Sequence, residues 1–122
     1  MTTKDTIQRY FDSLQKKSGW EAFLADDMTF TSFGSPIKQV TGKGAYLEAT
    51  KRFFSMITAV ELRDVSGEGD KACALTRYDL RGPGDRAFDS HVAEVFTVRN
   101  GKISSLEIYF DSTPFPKPPP AA

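Results

Sequence analysis

The C-terminal half of the chain contains two runs of alternating apolar residues joined by an Asn-Gly pair. The runs extend from Val92 to Val98 and from Ile103 to Phe110, and Asn100-Gly101 lies between them. Alternation with a period of two is typical of a strand with one buried face, and Asn-Gly favours a tight β-hairpin. The sequence therefore predicts an antiparallel hairpin, and any fold of this chain must bury one of its faces.

A carboxylate, Glu94, lies on the apolar face of this hairpin. We expect a three-residue loop over Arg99–Gly101 that pairs Glu94 with Leu106, because a plain two-residue turn sets Glu94 against Glu107. One face then carries Val92, Glu94, Phe96, Val98, Leu106, Ile108 and Phe110, and the other carries Ala93, Val95, Thr97, Ile103, Ser105, Glu107 and Tyr109. A buried carboxylate is costly unless it is paired, hydrogen-bonded or protonated, so this placement predicts a ligand pocket.

Composition narrows the class of protein. A chain of 122 residues with 39% hydrophobic content is expected to form one domain with one core. Its 16 basic and 16 acidic residues cancel, which disfavours binding to nucleic acid or to an anionic membrane. No apolar run approaches the about 20 residues that cross a bilayer, so we expect a cytoplasmic protein. Cys73 is the only cysteine, which excludes an internal disulfide and a cysteine-based zinc site, and we expect neither metal nor cofactor.

Three helices and a series of strands are predicted from the remaining periodicity. The first helix begins at Asp5, a short second helix covers 20–24, and a third follows Gly44 and ends near Ile57. Strands are expected over about 28–33, 59–66, 71–81, 86–99 and 102–111. This order predicts an α+β domain over residues 1–113, with the three helices packed on a strongly curved antiparallel sheet. Gly34-Ser35-Pro36 interrupts the first strand, and the proline-rich residues 114–122 are expected to be a disordered tail.

The order of elements and three segments resemble the nuclear-transport-factor-2-like superfamily. The segments are Ile7–Phe11, Leu24–Phe30 and Phe96–Ile103, and the likeness covers about residues 4 to 112. The superfamily includes ketosteroid isomerases, SnoaL-like polyketide cyclases and limonene epoxide hydrolases. The resemblance implies a cone-shaped, cystatin-like α+β barrel with a hydrophobic pocket, and it specifies the fold better than any one reaction.

Compared with ketosteroid isomerases, the chain matches two of three functional positions. Tyr10 stands where these enzymes place the phenol of their oxyanion hole, and Glu94 stands where they place a protonated acid. Their carboxylate base aligns with Ser32 of this chain. The resemblance therefore implies an oxyanion site without the usual base.

A second candidate group, Arg77 and Asp79, lies on the neighbouring strand. A four-residue loop over 82–85 pairs Asp79 with Phe88, which puts Leu75, Arg77 and Asp79 on the face of Glu94. Arg77-Tyr78-Asp79 resembles the Arg-x-Asp pair of limonene epoxide hydrolases, whose second aspartate aligns with Ile108. A one-residue slip would instead turn Arg77 and Asp79 outward as a solvated ion pair.

The predicted catalytic cluster consists of Tyr10, Arg77, Asp79 and Glu94. In this hypothesis Asp79 is the base or water activator, and Tyr10 with protonated Glu94 donates to the substrate, although the acid and the base could be exchanged. The predicted substrate-binding wall is formed by Trp20, Phe30, Ser32, Leu75, Phe96, Leu106, Ile108 and Phe110. Two alternatives stay open: Glu94 as a structural acid bonded to Arg77, and Tyr10 as a core residue.

Two function classes follow from this pattern. The first is a cofactor-independent enzyme that acts by acid/base chemistry on a small, mostly apolar molecule, as an isomerase, a cyclase or an epoxide-hydrolase-like enzyme. The second is a non-catalytic ligand-binding or dimerisation module of the same fold. The outer sheet face is predicted to carry Ala74, Tyr78, Leu80, His91, Ala93, Val95, Ile103 and Tyr109, and so much apolar surface predicts a homodimer through this face.

Overall fold

The structure, a computed structural model, describes residues 2–34, 37–111 and 113–115. The helices are α1 (Thr3–Gln15) and α2 (Lys43–Met56), with short 3-10 helices at Trp20–Phe23 and Pro83–Asp85. The strands are β1 (Leu24–Ser32), β2 (Lys38–Thr41), β3 (Ile57–Glu68), β4 (Lys71–Arg81), β5 (Ala87–Arg99) and β6 (Lys102–Phe110). The α+β class is confirmed, and no helix in the described ranges is long and apolar enough to cross a membrane.

Helix α1 begins at a capping box. The Thr2 side chain accepts a hydrogen bond from the backbone N–H of Asp5, and the Asp5 carboxylate accepts one from the backbone N–H of Thr2. The apolar face predicted for this helix is buried against the sheet, chiefly against β3. Its buried residues are Thr6, Ile7, Tyr10, Phe11 and Leu14.

The six strands form one sheet in the order β2-β1-β6-β5-β4-β3, in which only β1 and β6 run parallel. The described strands leave β2 and β3 as edges, and the sheet does not curl into the strongly curved cone that we expected. Strand β2 was not predicted, because only Val40 among its four residues is shielded from solvent and no alternation is visible.

The expectation of three α-helices is wrong. The segment after Gly19 forms a single 3-10 turn, Trp20–Phe23, and the described residues contain two α-helices. Gly19 has a left-handed backbone with a φ of 81°, and only four residues separate it from the start of β1 at Leu24. Four residues are too few for the repeated hydrogen bonds of an α-helix, so the tighter 3-10 turn forms instead.

The β5–β6 hairpin turns over two residues rather than three. Arg99 pairs with Lys102, and Asn100 and Gly101 both have positive φ, as a type I′ turn requires. Ser104 is then bulged out of the ladder, so Glu94 pairs with Ile108 and not with Leu106 or Glu107. The bulge keeps Glu94 on the apolar face as predicted, but it also turns Ile103 inward, opposite to our expectation.

The β4–β5 hairpin differs from the prediction by one residue. Asp79 pairs with Asp89, because the loop covers residues 82–86 and is closed by a 2.9 Å hydrogen bond from the Gly82 N–H to the Arg86 carbonyl. A shift of one residue moves every side chain of a strand to the opposite face. The predicted inward orientation of Leu75, Arg77 and Asp79 is therefore wrong.

The same shift buries residues that we had placed on the outer face. Ala74, Tyr78 and Leu80 lie in the core, and each is at most 3% exposed. Residues 116–122, which form most of the predicted tail, and Ser35-Pro36 of the predicted strand break lie outside the described residues.

Candidate functional site

A cavity of about 320 Å³ lies between α2 and the inner face of the sheet. Helix α2 contributes Tyr46, Ala49, Thr50, Phe53 and Phe54 to its wall, and the strands contribute mainly apolar side chains such as Phe30, Val92, Leu106, Ile108 and Phe110. The volume is near the lower end of the range for small-molecule sites, about 300–1,000 Å³. The cavity is thus suited to a small and largely apolar ligand.

Glu94 provides the carboxyl group of this cavity and is 4% exposed. Its Oε2 atom accepts hydrogen bonds from the Tyr78 hydroxyl and the Thr76 hydroxyl, both at 2.7 Å. The other oxygen, Oε1, accepts no hydrogen bond from any described residue. One oxygen is therefore held by two hydrogen bonds, and the other has no hydrogen-bond partner among the described residues.

Burial raises the pKa of Glu94 to about 7, although the hydrogen bonds from Thr76 and Tyr78 act in the opposite direction. No described lysine, arginine or histidine forms an ion pair with this carboxyl group. A pKa near neutrality allows the same group to give and to take a proton at physiological pH.

The two donors reach Glu94 because of the alternation of β4. Ala74 pairs directly with Glu94, and its small side chain occupies little of the space beside the carboxyl group. Thr76 and Tyr78 lie two and four residues farther along β4 on the same face, and both are buried. The order Ala-x-Thr-x-Tyr on β4 thus builds the Glu94 environment.

Tyr10 lies deeper than the cavity wall. It is 1% exposed, and its ring packs edge-on against Phe11 at 5.0 Å and Phe96 at 5.7 Å. Burial, the neighbouring Tyr46 phenol and the Glu94 charge raise the pKa of Tyr10, so its hydroxyl stays protonated. Burial and Glu94 likewise raise the pKa values of Tyr46 and Tyr78. Three phenols that feel the charge of Glu94 therefore stay protonated, and one of them, Tyr78, is bonded to it.

Ser90 is another polar residue on the cavity wall. It pairs with Tyr78 across the β4–β5 ladder and is 2% exposed. Its hydroxyl oxygen is buried and has no hydrogen-bond partner among the described residues. A buried hydroxyl without a partner is unusual in a folded protein, and a ligand in the cavity is one group that could supply the missing bond.

Arg77 and Asp79 lie on the outer face of the sheet and form an ion pair there. The distance from Arg77 Nη2 to Asp79 Oδ1 is 3.1 Å, and the distance from Arg77 Nε to Asp89 Oδ2 is 3.4 Å. The side chains of Arg77 and Asp79 are 43% and 45% exposed, and neither lines the cavity. Their predicted place beside Glu94 is wrong because of the one-residue shift of the β4–β5 register.

The predicted wall residues are divided between the cavity and other parts of the protein. Five of them line the cavity: Phe30, Ser32, Leu106, Ile108 and Phe110. The other three do not line it: the Trp20 ring is tilted against that of Phe54 with centroids 4.5 Å apart, Phe96 packs in the core beside Tyr10, and Leu75 is 45% exposed on the outer face.

Several site residues were missed by sequence reasoning. Tyr46, Ala49, Thr50 and Phe53 follow the helical spacing i, i+3, i+4, i+7, which could have identified the cavity face of α2. Tyr78, Thr76 and Ser90 depend on the β4–β5 register, for which the sequence contains no equally clear signal. Within the described part of the chain, no three His, Cys, Asp or Glu side chains are grouped closely enough to hold a metal ion.

Comparison with known protein families identifies the chain. The family model for the SnoaL-like domain matches residues 7–106, which is most of the chain. The protein belongs to the SnoaL-like domain family. This confirms the resemblance that the sequence suggested, although no functionally curated protein matches the chain.

Solved structures show that this SnoaL-like protein shares its fold with bacterial proteins of low sequence identity. An NTF2-like protein from Burkholderia thailandensis is 16% identical with a TM-score of 0.79, over 93% of this chain and 94% of that one. A protein from Jannaschia, described as a SnoaL-like polyketide cyclase, is 19% identical with a TM-score of 0.74, over 96% and 93%. A protein from Catenulispora acidiphila with a ketosteroid isomerase-like fold, in complex with trimethylamine, is 18% identical with a TM-score of 0.74, over 93% of this chain and 90% of that one.

Proposed function

We propose that this SnoaL-like protein is a cofactor-independent enzyme that transfers protons on a small, mostly apolar organic molecule. The observation that carries the proposal is the buried carboxyl group of Glu94, whose pKa of about 7 and free Oε1 atom adjoin an apolar cavity. A group of this pKa is suited to act as base and as acid within one turnover. Glu94 thus takes over the role of base that we had first given to Asp79.

The reaction that fits this arrangement is a proton shift next to a carbonyl group. Ionised Glu94 takes a proton from the substrate: the C–H bond breaks, an O–H bond forms at Oε1, and the electron pair moves to the carbonyl oxygen. Return of the proton to another atom of the substrate completes an isomerisation. In a cyclisation the enolate carbon instead attacks a second carbonyl: a C–C bond forms, the π bond of that carbonyl breaks, and the resulting alkoxide takes the proton back from Oε1 of Glu94. Tyr78 and Thr76 keep Oε2 in place, and such acid/base assistance contributes about 10²–10⁴-fold.

The number of carboxyl groups favours proton transfer over epoxide hydrolysis. Glu94 is the one carboxylate among the described cavity-lining residues. Ile108, which the resemblance aligns with the second aspartate of limonene epoxide hydrolases, supplies no acid. Addition of water to an epoxide needs a base for the water and an acid for the ring oxygen, whereas a proton shift needs one group that acts twice. Isomerase or cyclase chemistry is therefore the better match.

A second candidate function is ligand binding without turnover. The observation that favours it is the saturation of Oε2 by two hydrogen bonds, which is also what a purely structural or ligand-orienting acid requires. The trimethylamine bound to the Catenulispora protein is consistent with either function, because it shows only that a protein of this fold holds a small molecule.

Hydrogen exchange at substrate carbon distinguishes the two functions. The native protein is incubated in D₂O with a panel of ketosteroids and polyketide-like enols, and deuterium uptake at carbon is followed by mass spectrometry. Epoxides form a separate series, in which hydrolysis is measured. We expect Glu94→Gln to lose at least about 100-fold in exchange rate. Asp79→Asn is the matched control, since Asp79 lies on the outer face, and it should stay within about twofold of native. Ligand binding by the native protein without any exchange would leave the binding module as the function.

We further propose that two copies pair through the outer sheet face. Leu75 and Tyr109 are each 45% exposed there, and the ring of Phe33, 39% exposed, stacks on Tyr109 at 4.6 Å. This apolar area is smaller than we predicted from the sequence, because Tyr78, Leu80 and Ile103 point inward. Exposed aromatic and aliphatic groups on one sheet face are still typical of an interface.

A further inference from the structure

Phe115 lies in a cage of three phenylalanine rings from three different elements. Its ring centroid is 5.3 Å from that of Phe88 on β5, 5.5 Å from Phe110 on β6 and 6.2 Å from Phe53 on α2. The contacts with Phe88 and Phe110 are edge-to-face, which is a favourable arrangement for aromatic pairs. The ring is thus held by side-chain packing, although it lies beyond the last strand.

The backbone before Phe115 is also anchored. Arg86 Nη2 donates a 3.1 Å hydrogen bond to the carbonyl oxygen of Pro114. The same guanidinium group lies over the ring of Phe88, 5.6 Å from its centroid. Arg86 therefore connects the segment that carries Phe115 to one wall of the aromatic cage.

Phe115 and Glu94 occupy different parts of the same cavity. Phe53 contacts both Phe115 and, at 5.2 Å, the ring of Tyr78, whose hydroxyl is bonded to Glu94. Phe110 pairs with Val92, two residues from Glu94, and Phe88 is four residues farther along β5. At about 3.3 Å per residue, Val92 and its partner Phe110 lie about 7 Å along the strand from Glu94 and Phe88 lies about 20 Å from it, so Phe115, which contacts both rings, lies between these two levels.

We propose that Phe115 is a specificity-determining residue that sets the longest ligand the cavity accepts. The ligand would be an elongated apolar molecule with its polar group at Glu94 and its apolar end against the rings of Phe53, Phe110 and Phe115. The inference rests on the proposed function only in that the cavity takes an apolar ligand. Because Phe115 comes from neither the helices nor the sheet, its ring can be changed without altering a regular element.

Binding of a homologous series of ligands tests this inference. Phenyl n-alkyl ketones of increasing chain length are titrated calorimetrically into the native protein and into Phe115→Ala, Phe115→Trp and Phe33→Ala. Affinity should rise about fourfold with each buried methylene until the chain meets Phe115, and then stop rising. Phe115→Ala should move this limit to longer ketones, and Phe115→Trp should move it to shorter ones. Phe33→Ala removes an aromatic ring outside the cavity and should leave the limit unchanged.

The outcomes separate this inference from the proposed chemistry. An identical length limit in native protein, Phe115→Ala and Phe115→Trp would overturn the role of Phe115 and leave Glu94 chemistry untouched. If Phe115→Ala proves too unstable to measure, the shift toward shorter ketones in Phe115→Trp decides the question alone. A shifted limit in proteins that exchange no substrate hydrogen would support Phe115 and reject the enzyme.

Discussion

The hydroxyl of Tyr78 donates a 2.7 Å hydrogen bond to Oε2 of Glu94, and both residues are at most 4% exposed. Tyr78 is on β4 and Glu94 is on β5, so the bond joins two adjacent strands on the cavity side of the sheet. Because the carboxyl group is buried and this bond favours its ionised form, Tyr78 influences both the pKa of Glu94 and the stability of the protein.

Tyr78→Phe should raise the pKa of Glu94 above its native value of about 7. The substitution removes a donor that favours the carboxylate, and hydrogen bonds to charged groups are worth about 1.5–3 kcal/mol, so we expect a rise of about one unit or more. The carbonyl stretching band of the protonated Glu94 carboxyl, identified by its loss in Glu94→Gln, is followed by infrared spectroscopy against pH. Tyr109→Phe is the control, since Tyr109 is half-exposed on the outer face. An unchanged or lowered midpoint in Tyr78→Phe would contradict the expectation.

Glu94→Gln should change how stability depends on pH. The pKa of Glu94 is about 7 in the folded protein and near the ordinary glutamate value of 4.5 in the unfolded chain, so between these pH values the folded state keeps a proton that the unfolded chain has lost. Stability from this group is therefore intact below about pH 4.5, falls as the pH rises to about 7 and stays reduced above it, by about 3 kcal/mol in total.

Urea unfolding of native protein and Glu94→Gln at pH 5 and pH 8 measures this difference. The native protein should lose more free energy of unfolding between the two pH values than the variant does, because glutamine has no proton to release. All other titrating groups are shared by the two proteins, so they cancel in the comparison. Equal losses in both proteins would show that Glu94 has an ordinary pKa.

The elements of this fold could be predicted from the sequence better than their register. Alternation located β4 at its observed bounds and β5 to within one residue, because each strand has one buried face. The loop between them contains Gly82, Pro83 and Gly84, and the sequence alone does not show that it takes five residues rather than four. That single residue decides whether Arg77 or Tyr78 faces Glu94.

The position of Glu94 was predictable for a different physical reason. A bulge at Ser104 and a two-residue turn together leave Glu94 on the same face as the three-residue loop that we expected. The wrong loop length and the unpredicted bulge each reverse which face a side chain occupies, so beyond Ser104 the two effects cancel and the predicted faces are observed. Ile103 lies between the turn and the bulge, so its predicted face is wrong. The helical spacing of Tyr46 and Phe53 predicted an apolar face of α2. We interpreted that face as part of the core, whereas in the structure it is a wall of the cavity.

Leu75→Lys should weaken association of the protein if two copies pair through the outer sheet face. Leu75 is 45% exposed on that face, and a lysine in the centre of an interface must lose its hydration on pairing. Sedimentation equilibrium should give twice the 13.5 kDa chain mass for the native protein and a mass near one chain for the variant. Ile37→Lys, which changes a 67% exposed residue next to the edge strand β2, is the control. A native protein that sediments as a single chain would contradict pairing through this face.

Ser90→Ala should make the free protein slightly more stable and its ligand binding weaker. The Ser90 hydroxyl is buried without a described partner, and an unsatisfied buried group costs about 1–3 kcal/mol, so its removal should raise the free energy of unfolding by about 1 kcal/mol. Loss of a ligand hydrogen bond of about 1 kcal/mol should reduce the affinity for a ketone that reaches Ser90 by about fivefold.

Ser104→Ala is the matched control: the Ser104 hydroxyl donates to the Thr97 carbonyl at 3.2 Å, so its removal should destabilise the protein and leave binding unchanged. Because a structural hydroxyl would show the reverse pattern, a destabilised Ser90→Ala with native affinity would exclude a ligand contact at Ser90.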